Sequence, residues 1–147
     1  MITKDSIETK ACVFCASDFH LEMILLPYIA EQIESKEFVI LTQNDLEESI
    51  QKVLERVNLD SLKKNDIIGL NWKKKNVKDI NEFIKTDRNV IVIINGDGNY
   101  IKQINTEIRK KINCKIDIVD CFHIGDSSID INEISKNYDI ILNTRKI

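Results

Sequence analysis

Short apolar runs alternate along this chain with longer stretches whose apolar residues recur every three or four positions. Ala11 to Ala16 is a compact apolar run of the kind that forms a buried strand, and Leu21 to Ser35 follows with helical spacing. Glu37 to Thr42, carrying Phe38, Val39, Ile40 and Leu41, predicts a second strand. The next helix places Leu46, Ile50, Val53 and Val57 on one face, with Asn44 as its cap and Glu47 three residues on completing a capping box. Asp66 to Leu70 reads as a third strand, followed by a polar loop and a helix marked by Val77, Ile80, Phe83 and Ile84. Val90 to Ile94 is five consecutive β-branched residues, the pattern of a central strand. Ile101, Ile104, Ile108 and Ile112 then form one helical stripe. Lys115 to Ile124 is a fifth strand, with Lys115 and Asp117 placing one face near water at its start. A short helix from Ile131 to Lys136 leads into a last strand, Asp139 to Leu142. Pro27 interrupts the first helix, where its ring would meet the carbonyl of Met23, so a kink or a late helix start is expected there.

Strands alternating with helices, several of them apolar on both faces, predict an α/β fold. The expected form is a mainly parallel sheet of five to six strands with helices on both faces, a Rossmann-like three-layer α/β/α arrangement. The connections are short, and no linker or repeat divides the 147 residues, so residues 1–147 read as one α/β domain. An apolar share of 43% with 31% charged residues is that of a globular chain, and the net charge of −3 gives no general attraction to nucleic acid or anionic lipid. The first residues carry acids where a signal peptide needs an apolar core, and no apolar run approaches the roughly 18 residues of a membrane span. The expectation is a cytoplasmic protein with reduced cysteines.

In sheets of this kind ligands sit beyond the carboxyl ends of the strands. Those ends bring Ser17, Asp18, Phe19 and His20 after the first strand, Gln43 and Asn44 after the second, and Asn71 and Trp72 after the third. Asn95-Gly96-Asp97-Gly98-Asn99 closes the fourth strand, and Asp120 to His123 with Gly125 to Ser128 closes the fifth. Both histidines fall here. No Walker-type phosphate loop is present, and Gly96-Asp97-Gly98 lacks the third glycine of a dinucleotide fingerprint, so a tight strand-to-helix turn is its expected role. Cys12 and Cys15 have the spacing of a metal or redox pair, but residues three apart in a strand point to opposite faces, so neither a metal nor a cofactor is expected. Cys15 stands just before a helix, where thiols become reactive, yet Leu21 occupies the position at which a cysteine phosphatase carries arginine. Lys73, Lys74, Lys75 and Lys78 beside Trp72 read as a solvated loop rather than a nucleic-acid surface.

The strand Cys12-Val13-Phe14-Cys15, the turn acid Asp18, Pro27-Tyr28-Ile29-Ala30 and Glu37-Phe38-Val39-Ile40-Leu41 resemble the opening of the MEDS sensory domains. These are relatives of RecA/KaiC-like ATPases that lack the P-loop. The resemblance spans Ala11 to Leu54 and departs from the family where a histidine and a Phe-Tyr pair are usual near the first strand. It implies a strand order 5-1-4-3-2, which would set the first strand between 90–94 and 115–124. The loops after those three strands would then meet, making Asp18, His20, Asp97, Asn99, His123 and Asp126 the expected ligand-binding residues. The function expected is noncatalytic: a sensory or regulatory domain binding a small ligand or a protein partner at this rim. Two alternatives stand beside it. One is a small enzyme or phosphocarrier using Cys15 as thiolate or His20 and His123 in acid–base work. The other is an assembly module, a homo-oligomer formed through an exposed helix or edge strand.

Overall fold

The computed structural model describes residues 7–82, 90–111, 116–127 and 129–143. Phe83, Ile84, Ile112 and Lys115 lie outside the described residues. The elements run β1 (Ile7–Cys15), α1 (Asp18–Gln32), β2 (Glu37–Thr42), α2 (Glu47–Leu54), α3 (Ser61–Ile68), a 3-10 turn (Val77–Glu82), β3 (Val90–Asn95), α4 (Gly98–Lys111), β4 (Ile116–His123), α5 (Ile131–Ser135) and β5 (Ile140–Ile141). Five parallel strands form one sheet in the order β2-β3-β4-β1-β5. The α/β class and its mainly parallel sheet are therefore as the alternation predicts.

Two cores follow from the two-residue period of the strands. One face carries Val13, Cys15, Ile40, Ile91, Ile93, Val119 and Cys121 against α1, α2, α3 and Trp72. The other carries Cys12, Val39, Leu41, Val92, Ile94, Ile118 and Phe122 against α4 and Tyr100. Cys12 and Cys15 thus point into different cores, as their spacing in a strand requires. In α4, Ile101, Ile104 and Ile108 are buried at helical spacing, and these contacts hold the helix on the sheet. Asp117 stands at the partly exposed start of β4, where Lys36 donates to its carboxylate at 2.9 Å.

Several expectations need correction. Asp66 to Leu70 is not a strand. Asp60 caps α3 by accepting from the Lys63 amide at 2.8 Å, and Ile67 is that helix's buried residue. The chain does reach the outer edge of β2, but later, in a single parallel bridge between Thr42 and Lys74. With that strand gone, 116–123 becomes the fourth strand and 140–141 the fifth. Read from its other edge the order is again 5-1-4-3-2, yet β1 lies between β4 and β5, not between 90–94 and 115–124. Asn44 does not cap α2: Leu46 is the residue before the helix, and Asp45 accepts from the Glu47 amide at 2.9 Å. Helix α1 starts early and runs through Pro27, which is buried within it. The lysine loop is not wholly solvated. Lys75 is buried, its ammonium donating to the carbonyls of Asn71 at 2.6 Å and Lys73 at 2.8 Å, and burial lowers its pKa to about 8. Trp72, also buried, donates through Nε1 to the Ile67 carbonyl at 2.8 Å.

Candidate functional site

The carboxyl ends of β2, β3, β4 and β1 lie side by side, and register decides which side chains meet there. Cys15 is paired with His123, Asn95 with Cys121, and Thr42 with Asn95. All these side chains leave the sheet on the α1 side. His123 therefore stands beside Cys15 and one step diagonally from Asn95.

A directed chain of hydrogen bonds results. The Cys15 thiol lies 3.5 Å from His123 Nδ1 and also 3.5 Å from the Phe122 carbonyl. His123 Nε2 is 2.7 Å from Asn95 Oδ1. The Asn95 amide nitrogen donates to Thr42 Oγ1 at 3.0 Å and Asn44 Oδ1 at 3.1 Å, and the Asn44 amide nitrogen donates to Asp18 Oδ2 at 3.1 Å. Because Asn95 spends its nitrogen on these acceptors, its oxygen faces the imidazole, and His123 must carry its proton on Nε2. Nδ1 is then the acceptor for the thiol. Every donor points the same way, from Cys15 through His123, Asn95 and Asn44 to the carboxylate of Asp18. Aligned bonds of this kind polarise one another.

Cys15 itself is sealed, with no exposed surface. Burial, reinforced by the nearby Asp18 carboxylate, pushes its thiol up to about 12, so it holds its proton at neutral pH.

The expected ligand-binding residues separate into groups. Asp18 and His123 are joined by the chain just described. Asp97 and Asp126 converge on the turn into α4. Asp97 accepts from the Tyr100 amide at 2.8 Å as a helix cap, and Asp126 accepts from the Gly98 amide at 3.2 Å. Gln43 and Asp97 exchange two bonds, its Oε1 accepting from the Asp97 amide at 2.8 Å and its Nε2 donating to the carboxylate at 3.3 Å. His20 turns back toward the end of β1, its Nδ1 accepting from the Ala16 amide at 3.0 Å. Asn99 is exposed in the first turn of α4. The loops after β1, β3 and β4 thus meet as expected, although β4 and not β1 is the middle strand. Asn95, Asn44 and Thr42 stand at strand ends in the sequence but are not among the expected binding residues, and the network joins them. Only the parallel register shows that Asn95, a polar end to a β-branched run, lies within reach of His123.

The Gly96 turn confirms the tight strand-to-helix connection. A Cβ at Gly96 would lie 2.6 Å from the Tyr100 ring and 2.8 Å from Gln43 Oε1. Tyr100 cannot yield easily, since it is buried and its hydroxyl donates to the Lys75 carbonyl at 2.7 Å. Gly96→Ala is expected to lower stability by about 1–2 kcal/mol in urea denaturation, by overpacking. A neutral result would mean that the turn has slack.

Comparison with known protein families, curated proteins and solved structures gives no match. No helix among the described residues is long and apolar enough to cross a membrane.

Proposed function

We propose that this is a noncatalytic sensory or regulatory domain of the MEDS kind, which binds a small polar ligand at the rim formed by the loops after β1, β2, β3 and β4. The observation that carries this reading is the one-way hydrogen-bond chain from Cys15 to Asp18. Its outer end, Asn44 and Asp18, meets solvent, while Asn95 and Cys15 at its inner end are buried. A ligand engaging Asp18 or Asn44 changes the acceptor at the end of the chain and is felt four bonds deeper. The 5-1-4-3-2 order supports the RecA-like kinship behind this reading. The two residues Ala16 and Ser17 between β1 and α1 leave no loop to wrap phosphates, and Asp18 adds a repelling charge.

The test is a two-dimensional NMR titration of the labelled protein with a panel of small polar metabolites, repeated on Asp18→Asn and Asn44→Ala. A true rim ligand shifts amides around Asp18, Asn44 and His123, and either substitution weakens it about 10-fold or more, the loss of one charge-assisted hydrogen bond. Binding that ignores both substitutions would remove the rim from consideration.

One observation favours a second reading. Thiol to imidazole Nδ1, and imidazole Nε2 to amide oxygen, is the connectivity of a Cys–His–Asn nucleophile array. The sealed, protonated thiol opposes it. Cys15 is expected to alkylate slowly in the native protein and quickly only on unfolding, followed peptide by peptide in mass spectrometry to separate it from the other cysteines. Rapid native alkylation near pH 6 would favour the enzyme.

A further inference from the structure

On the face of the sheet opposite Cys15, a groove of about 770 Å³ runs between α4 and α5, over the β4–β1 pair. That volume lies within the range of small-molecule sites. It contains a carboxylate that packing does not call for. Asp120 has no exposed surface, and its same-face neighbours in β4 are Ile118 and Phe122. Its Oδ1 accepts from Asn105 Nδ2 at 3.0 Å, and its Oδ2 accepts from the Tyr138 hydroxyl and lies 3.8 Å from the Lys10 ammonium.

Asn105, another lining residue, is 8% exposed and is the unusual member. Its Nδ2 also donates to the Ile101 carbonyl at 2.9 Å, so both amide hydrogens are used and the orientation is fixed. Its Oδ1 is buried and has no hydrogen-bond partner. Turning the amide over would set that oxygen against two other acceptors. The side chain therefore presents an acceptor lacking a donor, beside a carboxylate, in the wall of a groove.

The charge above it has the opposite sign. Lys102 and Arg109 line the same groove from α4 and lie on the stripe that includes Asn105, while Lys10 lines it from β1. Three cations face two carboxylates, Asp120 and Asp139. Helix α5, which closes the groove, is five residues long and has no buried residue of its own.

We propose that this groove binds a small phosphomonoester whose other end carries O–H or N–H donors, with the phosphate on Lys102 and Arg109 and a donor reaching Asn105 Oδ1 beside Asp120. A dianionic phosphate matches two cations, the guanidinium gripping two oxygens and the ammonium acting as a point charge. Phe122 and Ile134, also in the lining, offer apolar contact to the ring that links the two ends. This site is separate from the rim and does not depend on what the rim binds.

The experiment is calorimetry and NMR on the full chain with three probes: guanosine monophosphate, ribose 5-phosphate and inorganic phosphate. At least one of the two organic esters is expected to bind saturably and about 10-fold or more tighter than inorganic phosphate, moving amides of α4 and α5. The double variant Lys102→Ala, Arg109→Ala changes exposed side chains and should fold normally, and it should lose binding about 10-fold or more. Asn105→Ala should erase the preference for the esters over inorganic phosphate, with its melting curve checking the fold. The proposal is overturned if neither ester binds saturably, if inorganic phosphate binds as well as both, if the shifts fall at the rim instead, or if the double variant binds like the native chain.

Discussion

Replacing Glu22 by Met is expected to stabilise the protein near neutral pH, by on the order of 1–3 kcal/mol. Glu22 sits on α1 with no exposed surface. Its Oε2 accepts from the Ser49 hydroxyl at 2.5 Å, while its Oε1 is buried with no hydrogen-bond partner. Burial raises its pKa, the Ser49 bond offsets part of that rise, and Asp18 adds to it. The folded state therefore holds this proton more tightly than the unfolded chain does. The favourable contribution is complete below the unfolded value, about 4.5, and is lost as pH rises through the folded value. Methionine has similar length and carries no charge, so it removes the ionisation penalty and the orphaned oxygen together, while Ser49 is partly exposed and can turn to water. Buried Asp120 shifts in the same direction, so the native-minus-variant difference isolates Glu22. Urea denaturation of both proteins at pH 4 and pH 7 is the check. The gap should be wider at pH 7, and a variant less stable than the native chain at both pH values would refute the account.

The legible parts of the fold were those where one physical rule acts alone. Val90 to Ile94 is β-branched on both faces, the pattern of a strand covered on both sides. The Ile101–Ile104–Ile108 stripe has one helical reading. The illegible part was Asp66 to Leu70, where Ile67, Ile68 and Leu70 look like a strand five residues long. The deciding signals lay upstream and downstream: Asp60 starts a helix, and at its end the Ile67 carbonyl accepts from both the Leu70 amide and Trp72 Nε1. Losing that strand also changes the strand order, because 116–123 becomes the fourth strand. Lys75 shows the converse limit. Nothing local distinguishes it from Lys73 and Lys74, and only the fold of the loop gives its ammonium two carbonyls.

For the site, sequence position was enough to collect residues at strand ends but could not tell a cap from a network. Asp97 and Asp126 serve the turn into α4, a role that any acid at a helix start can take. Asn95 and Asn44 were present among the strand-end residues, yet their importance depends on which strands are neighbours. By position Asp120 falls with the rim residues, whereas the pleat turns it to the opposite face, into the α4–α5 groove. A period of two puts His123 and Asp120 on opposite sides, and the register of β4 against β1 then gives each its partners.

Asn95→Ala is expected to be the most damaging polar substitution in the molecule's rim, costing about 2–4 kcal/mol. Asn95 is 1% exposed and joins three strand ends, accepting from His123 and donating to Thr42 and Asn44. Alanine leaves the imidazole Nε2–H without its acceptor and withdraws a donor from the buried Thr42 oxygen, while exposed Asn44 can turn to water, and an unpaired buried polar group costs about 1–3 kcal/mol before relaxation. For a chain of this length the melting temperature should fall by roughly 5–15 °C. Asn99→Ala, at an exposed position on the same turn, should stay within about 0.5 kcal/mol of native. The decisive measurement is a double-mutant cycle with His123→Ala. If the two side chains act through the 2.7 Å bond, their effects should fall short of additive by about 1 kcal/mol or more. Cys15 gives an independent readout, because loosening the imidazole above it should speed alkylation of its thiol in Asn95→Ala relative to the native chain. Additive losses together with an unchanged alkylation rate would mean that Asn95 and His123 are merely neighbours, and the chain from Cys15 to Asp18 would have no energetic reality.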